Sequence, residues 1–264
     1  MLESTQSLKM PHKPYILIIG GGGHARACID VIEQENKYHI CGIIDKNALQ
    51  NGSTHLLGYP ILGSDDDLQT LFSTIQYAFI AIGQIKTPSP RLRIYQKLKR
   101  IGYHLPSIIS PFAYVARNVT IKEGSIIMHH ALINSNASIG KACIINSKAL
   151  VEHDCNIDDF CHLSTASVVN GSCHIGEGSF LGSNMILAHN TTIPPYSLLY
   201  HNPLESHYLT NKKGIFSNGG GDKLNIFSIF THHSNPLYHT TSFFFSHNTS
   251  YFASFAYQTQ RKAV

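Results

Sequence analysis

From Val115 onward every sixth residue is aliphatic. The series runs Val115, Ile121, Ile127, Ile133, Ile139, Ile145, Val151, Ile157, Leu163, Val169, Ile175, Leu181, Leu187, Ile193 and Leu199 without a break. Four residues after most of these the chain is small, as at Ser125, Ala131, Ala137, Cys143, Ala149, Cys155, Cys161, Ser167, Cys173 and Ser179. A helix repeats its apolar positions near 3.6 and a strand at 2, so a strict six excludes either as a continuous element. The pattern is that of a hexapeptide solenoid, in which each unit buries its aliphatic residue only by stacking on its neighbours. Three hexads per coil over residues 113–209 predict a triangular prism of five coils, roughly 24 Å long at about 4.8 Å per stacked strand.

Ahead of the solenoid the period changes. Residues 1–14 are polar and unpatterned and read as a leader. Residues 15–112 alternate strand and helix signals: strands at 15–19, 39–44, 77–82 and 105–109, a short one at 59–62, and helices at 25–35 and 91–101. Ser64 before Asp65, Asp66 and Asp67 reads as the cap of a further helix reaching Phe72. Such alternation predicts a small doubly wound parallel sheet. The first strand runs into Gly20–Gly23 and His24, and Gly20, Gly22 and Ala25 satisfy the loose G-x-G-x-x-G/A spacing. Strand, glycine loop and helix in that order make a turn that suits an anion, because backbone N–H groups and the helix dipole converge there. Asp45 ends the second strand about twenty residues later, where dinucleotide folds hold a ribose hydroxyl; the plainer reading is that it only starts the next turn. The crevice is expected where the glycine loop, Asp45 and Gly83 meet.

Composition narrows the classes. The 264 residues suit two domains or one large one. A formal charge of +4 with scattered Lys and Arg gives little support for nucleic-acid binding. No apolar run approaches the roughly 20 residues that span a bilayer, and no signal peptide is evident. Four of the six cysteines fill the small slot of the repeat, so they read as core thiols in a reducing, cytoplasmic protein. Residues 210–264 lose every period and read as an atypical, poorly ordered tail, rich in aromatic, His, Ser and Thr residues.

Counting along the repeat locates the chemistry. Ser135, His153, Gly171 and His189 are eighteen apart and should stack on one edge of the prism. The run Val151-Glu-His-Asp-Cys155 sets an imidazole between two carboxylates there. A carboxylate on one ring nitrogen fixes the tautomer and strengthens the other as a base. Glycine one coil above leaves a backbone N–H open to a developing oxyanion. A metal site is the rival reading of His153, Asp154 and His162, but no short-spaced ligand pair supports it.

These residues resemble the bacterial sugar acyltransferases of the left-handed β-helix class, including nucleotide-amino-sugar N-acetyltransferases of the bacillosamine type and sialic-acid O-acetyltransferase-type proteins. The resemblance covers roughly residues 15–209 and rests on Ile18-Ile-Gly-Gly-Gly-Gly-His24, Asp45, Ile82-Gly83, Glu152-His-Asp154, His162 and Asn202-Pro203. It implies an α/β Rossmann-like domain that holds a nucleotide sugar, followed by an all-β left-handed parallel β-helix. It implies His153 as general base oriented by Asp154, with Gly171 as donor to the acetyl carbonyl. Gly22, Gly23, His24, Asp45, Lys46 and Gly83 would line the nucleotide-sugar pocket. Acetyl-CoA would lie against His162, Gly171, His189 and Asn202, between subunits of a homotrimer, with no metal required. The expected activity is N-acetylation of an amino sugar; the alternatives are O-acetylation of a sialic-acid-like sugar, a nicotinamide-dependent oxidoreductase, or a silent sugar-binding scaffold. Two departures stand out: Leu204-Glu-Ser-His follows Asn202-Pro203, and the aromatic tail has no counterpart in the family pattern.

Overall fold

The structure is a computed structural model that describes residues 13–200, together with backbone strands at Asn225–Thr231, Thr240–Phe245 and Ser254–Ala256. Most of the leader, residues 1–12, lies outside the described residues.

The N-terminal part is the expected doubly wound sheet. Strand β1 (Tyr15–Ile19) lies between β2 (His39–Ile44) and β5 (Tyr77–Ile80), all parallel, and β2 carries β4 (Tyr59–Gly63) on its other edge. A two-residue strand β3 (His55–Leu56) closes an antiparallel hairpin onto β4. Alternation along β1 builds two cores. Ile16 and Ile18 pack with Ala25, Ile29 and Ile32 of helix α1 (Gly23–Glu35), whereas Leu17 and Ile19 pack on the opposite side with Ile94 and Leu98. Helix α2 (Lys46–Gln50) is short. The acidic triplet forms a 3₁₀ turn, Asp65–Asp67, before α3 (Leu68–Leu71), with Ser64 and Asp67 in a capping box. That is the capping role expected from the sequence. Helix α4 (Ser89–Ile101) ends on Gly102 in the left-handed region, with Lys99 and Arg100 in its last turn.

The solenoid repeats every eighteen residues. Leu132–Ile133 pairs with Leu150–Val151, that pair with Val168–Val169, and so on in parallel ladders that form three sheets. The aliphatic series points inward, and the small slots at Cys143, Cys155, Cys161 and Cys173 are buried as free thiols. From Gly124 on, each turn contains one residue with positive φ, six apart from its neighbours: His130, Asn136, Ala142, Lys148, Asp154, Phe160 and onward to Tyr196. A hexad is therefore a two-residue strand plus a turn that needs one left-handed residue.

One strand lies elsewhere than expected. The fourth N-terminal strand foreseen over 105–109 shrinks to β6 (Ile108–Ile109), and it pairs with Ile126–Ile127 of the solenoid. His104 still bridges Tyr77 of β5 and Leu105 packs with Ile94 and Leu98, so the chain leaves the N-terminal sheet between Leu105 and Ile108. This first solenoid face is also the docking surface: its outward residues Ile108, Ile126 and Ile144 share one core with α1 and β1. Polar contacts flank the junction. His129 bridges Asp30 of α1 (2.7 Å) and Ser110 of the connector (2.6 Å), while Glu123 accepts from Tyr95 (2.6 Å) and Lys99 (2.8 Å).

In the tail, where the sequence has no period, the three backbone strands add antiparallel to the last coil, beginning with Ser197–Tyr200 against Asn225–Thr231.

Candidate active site

The turn after Leu150–Val151 forms the edge between the second and third faces. Its left-handed residue is Asp154, at φ 62°. There its carboxylate meets the preceding side chain: Asp154 Oδ2 lies 2.7 Å from His153 Nδ1. The other oxygen accepts from Asn136 Nδ2, one coil below, at 2.6 Å. Those hydrogen bonds, Asn136's first, hold the Asp154 carboxyl below its ordinary range. An ionised Asp154 accepts the Nδ1 proton and leaves Nε2 as the basic atom.

Counting by eighteen placed Gly171 above His153, and the geometry explains the glycine. A Cβ at Gly171 would come within 2.8 Å of both Cε1 and Nε2 of His153. The imidazole edge therefore lies directly against the glycine backbone. The Gly171 N–H finds no acceptor among the described residues. In the equivalent turns Asn134 and Asn146 use Oδ1 to take the N–H of Ser135 and Ser147 at 2.8 Å. Asn170 holds the same hexad position but turns its amide to the Leu187 carbonyl (2.7 Å), which leaves Gly171 unclaimed. Glu152 does not contact the imidazole. It accepts from Asn134 Nδ2 at 2.8 Å, so the expected imidazole between two carboxylates has one carboxylate partner. The reason is the strand pleat, which sends residue 152 along the edge while the left-handed turn swings 154 toward 153. His189 follows one coil above Gly171 and is exposed.

A second group assembles around the N-terminal domain. Gly22 caps α1, and a Cβ at Gly22 or Gly23 would meet nothing within 4 Å, so the loop opens onto free space. Asp45 is the cap of α2, accepting from Ala48 N at 2.8 Å, and its other oxygen takes the Gly21 N–H at 2.5 Å. Both carboxylate oxygens are thus engaged by the protein, and Lys46 beside it is exposed. Gly83 faces His24, whose ring lies 6.5 Å from that of His162. His162 is buried against Phe180 and donates Nδ1–H to the Gln84 carbonyl. Burial, with the Arg91 charge adding, pushes His24 down to about 3 and His162 down to about 4, so both rings are neutral near pH 7.

The two groups do not meet within one chain. His162, nine residues past His153, sits on the first face with the glycine loop, whereas His153, Asp154, Gly171 and His189 occupy the edge opposite that face. Asn202 lies outside the described residues. Among those described, no cluster of three or more His, Cys, Asp or Glu side chains could hold a metal ion. Sequence reasoning missed Asn136, Gln84 and Arg91. Asn136 was within reach, since it precedes Asp154 by eighteen, but the other two act across the domain junction and carry no spacing signal.

A Rossmann-like half joined to a hexapeptide solenoid, with a carboxylate-held histidine under a glycine, defines an acyltransferase of the hexapeptide-repeat class. Residues 15–98 match the family model described as PglD N-terminal domain. Among solved structures the chain is similar to the acetyltransferase domain of PglB from Neisseria gonorrhoeae, at 25% identity over 69% of this chain and 85% of that one, with a TM-score of 0.63. It is also similar to a variant of perosamine N-acetyltransferase from Caulobacter crescentus solved with CoA and GDP-perosamine, at 28% identity over 71% and 94%, with a TM-score of 0.61. The same Neisseria domain in complex with acetyl coenzyme A aligns at 24% identity over 72% and 98%, TM-score 0.65, a likeness of fold. No curated protein matches the chain. No helix among the described residues is long and apolar enough to cross a membrane.

Proposed function

We propose that this protein is an acetyl-CoA-dependent N-acetyltransferase that acylates the amino group of a nucleotide-linked amino sugar. The observation that carries the reading is the His153 ring, held through Nδ1 by Asp154 with its free edge against Gly171. In this mechanism the sugar amine adds to the thioester carbonyl while His153 Nε2 takes its proton. The Gly171 N–H donates to the oxyanion of the tetrahedral intermediate, the C–S bond then breaks, and the proton passes to the departing thiolate. No acyl-enzyme is required, because among the described residues no serine or cysteine side chain is hydrogen-bonded to the His153 ring; Cys155 Sγ meets only the His153 backbone carbonyl, at 3.7 Å. Gly22, Gly23, His24, Asp45, Lys46 and Gly83 serve the nucleotide sugar. The perosamine enzyme's GDP-linked ligand and CoA support a sugar carried by a nucleotide and a coenzyme A donor here. His162, His189, Gly171 and Asn202 serve the coenzyme. Both substrates are cytoplasmic metabolites, and a cytoplasmic protein keeps its cysteines as thiols.

The working unit in this reading is a homotrimer whose site is shared by neighbouring copies. Two features support it. The catalytic edge is opposite the face that carries the nucleotide domain, so one chain alone leaves base and sugar loop apart. The second face, which borders that edge, presents an outward row of Tyr114, Leu132, Leu150, Val168 and Ile186, with Tyr114 and Ile186 each 61% exposed. A contiguous apolar row on a solenoid face is a surface for self-association.

The test is a panel of UDP- and GDP-linked amino sugars with acetyl-CoA, followed by thiol release and by mass analysis of the product. We expect turnover with at least one amino sugar, and a loss of at least about 100-fold in His153→Ala. An undiminished rate in that variant would sink the assignment.

A further inference from the structure

The chain between β5 and α4 climbs one edge of the solenoid. Ala142, Phe160 and Gly178 follow one another on that edge, one per coil, each with positive φ. Arg91 Nη2 donates to the Ala142 carbonyl at 2.8 Å, and Gln84 Nε2 donates to those of Phe160 (2.6 Å) and Gly178 (3.4 Å). Within its own domain Arg91 Nη1 takes the Ile80 carbonyl (3.1 Å) and the Ile82 carbonyl (2.6 Å). Both side chains are buried, at 0% and 2% exposure. The guanidinium has no carboxylate partner among the described residues, and burial pushes it down to about 10, still charged near pH 7.

Two residues past Phe160 the chain turns from this edge onto the first face at His162. Its Nδ1 meets the Gln84 carbonyl, and its Nε2 lies 3.3 Å from Asn146 Nδ2. A carbonyl accepts and an amide NH₂ donates, so only the neutral Nδ1–H tautomer satisfies both partners. The charged group nearby is Arg91, and the other titratable groups packed there are His24 and the Cys28 thiol, 3.3 Å from His24 Nε2. Pinned by Arg91 at Ile82 and by its own side chain at Phe160, residue 84 presents its carbonyl at one fixed place.

We propose that Arg91 and Gln84 are positioning residues: their clamp across the domain junction locks His162 as the neutral Nδ1–H tautomer, with Nε2 as a hydrogen-bond acceptor. Their relevance to catalysis rests on the proposed acetyl-transfer site, but the test needs neither substrate. It is long-range ¹H–¹⁵N correlation of the histidine rings in the full-length, ¹⁵N-labelled protein between about pH 5 and 8. In the wild type His162 shows one tautomer, protonated on Nδ1, with no titration in that range. Arg91→Met, which removes the clamp, gives mixed tautomers, while burial keeps the ring neutral across the range. Arg91→Lys, which keeps a cation but not the two-armed donor, leaves the tautomers partly mixed. Gln84→Leu leaves the ring neutral and mixes the tautomers. A purely structural role for the clamp would lower the melting temperature in these variants and leave the His162 spectrum unchanged, which would overturn the proposal. So would a wild-type ring protonated on Nε2 or titrating above about pH 5. If Arg91→Met does not fold, the wild type and Gln84→Leu decide the matter alone.

Discussion

At the residue scale, the pairing of His153 with Asp154 is made for orientation. Both side chains are about half exposed, 53% and 49%, and an exposed pair of this kind contributes little to stability. Asp154→Asn separates the two roles. The amide oxygen still accepts from Asn136, which turns the NH₂ toward His153 Nδ1 and moves the ring proton to Nε2. We expect kcat to fall by roughly a thousandfold, since the base then carries its proton on the wrong nitrogen, with the melting temperature nearly unchanged. The lowered pKa of Asp154 also fixes a sign. Its contribution to folding is present above the ordinary carboxylate range and is lost only as pH falls through the lowered folded-state value. Gly171→Ala is the second test at this scale. A Cβ 2.8 Å from the imidazole must displace the ring or the backbone N–H, so kcat should drop by about 100-fold while acetyl-CoA binding, followed by calorimetry, changes less.

At the element scale, the hexad is a packing unit and a turn, and the two parts differ in how far the sequence reveals them. The inward aliphatic series and the cysteine slots were legible because burial demands a residue type. Ile145→Ala should therefore cost about 2–5 kcal/mol in chemical denaturation, the usual cost of a cavity at a fully buried site. The turn was less legible. Asn136, Asp154 and Asn190 are residues that tolerate left-handed backbone, but Ala142, Lys148 and Phe160 give no such signal at the same position. Lys148 is exposed at φ 60°, so Lys148→Gly should raise stability by up to about 1 kcal/mol by relieving the left-handed strain. The column of His153 and Gly171 was readable because eighteen-residue counting is register, and register is backbone geometry. The junction was not. Arg91 looks like one more cation on an amphipathic helix, and only the docked solenoid shows that it ties carbonyls of its own domain to one of the other. The strand at Ile108–Ile109 was assigned to the wrong sheet for the same reason, since an apolar run does not say which partner it pairs with. That junction also carries a pH signature. His24 and His162 are neutral when folded, with values lowered from 6.5 to about 3 and about 4. Protonation favours the unfolded chain, so their contribution is intact above about pH 6.5 and declines as pH falls from there toward 4. A melting-temperature profile should bend downward in that window, and less so in His162→Asn.

At the scale of the whole molecule, one chain holds the glycine loop and His153 on opposite sides of the prism. Within one chain the N-terminal domain covers the first face of the prism and His153 stands on the opposite edge, so the proposed shared site in a trimer predicts complementation between two inactive proteins. His153→Ala keeps the sugar loop but lacks the base; Gly23→Trp keeps the base but fills the open space over the loop. Each alone should be inactive. If loop and base come from neighbouring copies, co-expression in equal amounts puts an intact loop beside an intact base at about one interface in four, and about a quarter of wild-type activity should return. A site contained in one chain would return nothing, because every chain would carry one defect. Leu150→Glu, in the middle of the apolar row, supplies the control. It places a charge where a partner's apolar surface would bury it, so light scattering should report dissociation toward monomer, and the complementing mixture built on this background should lose its activity as well.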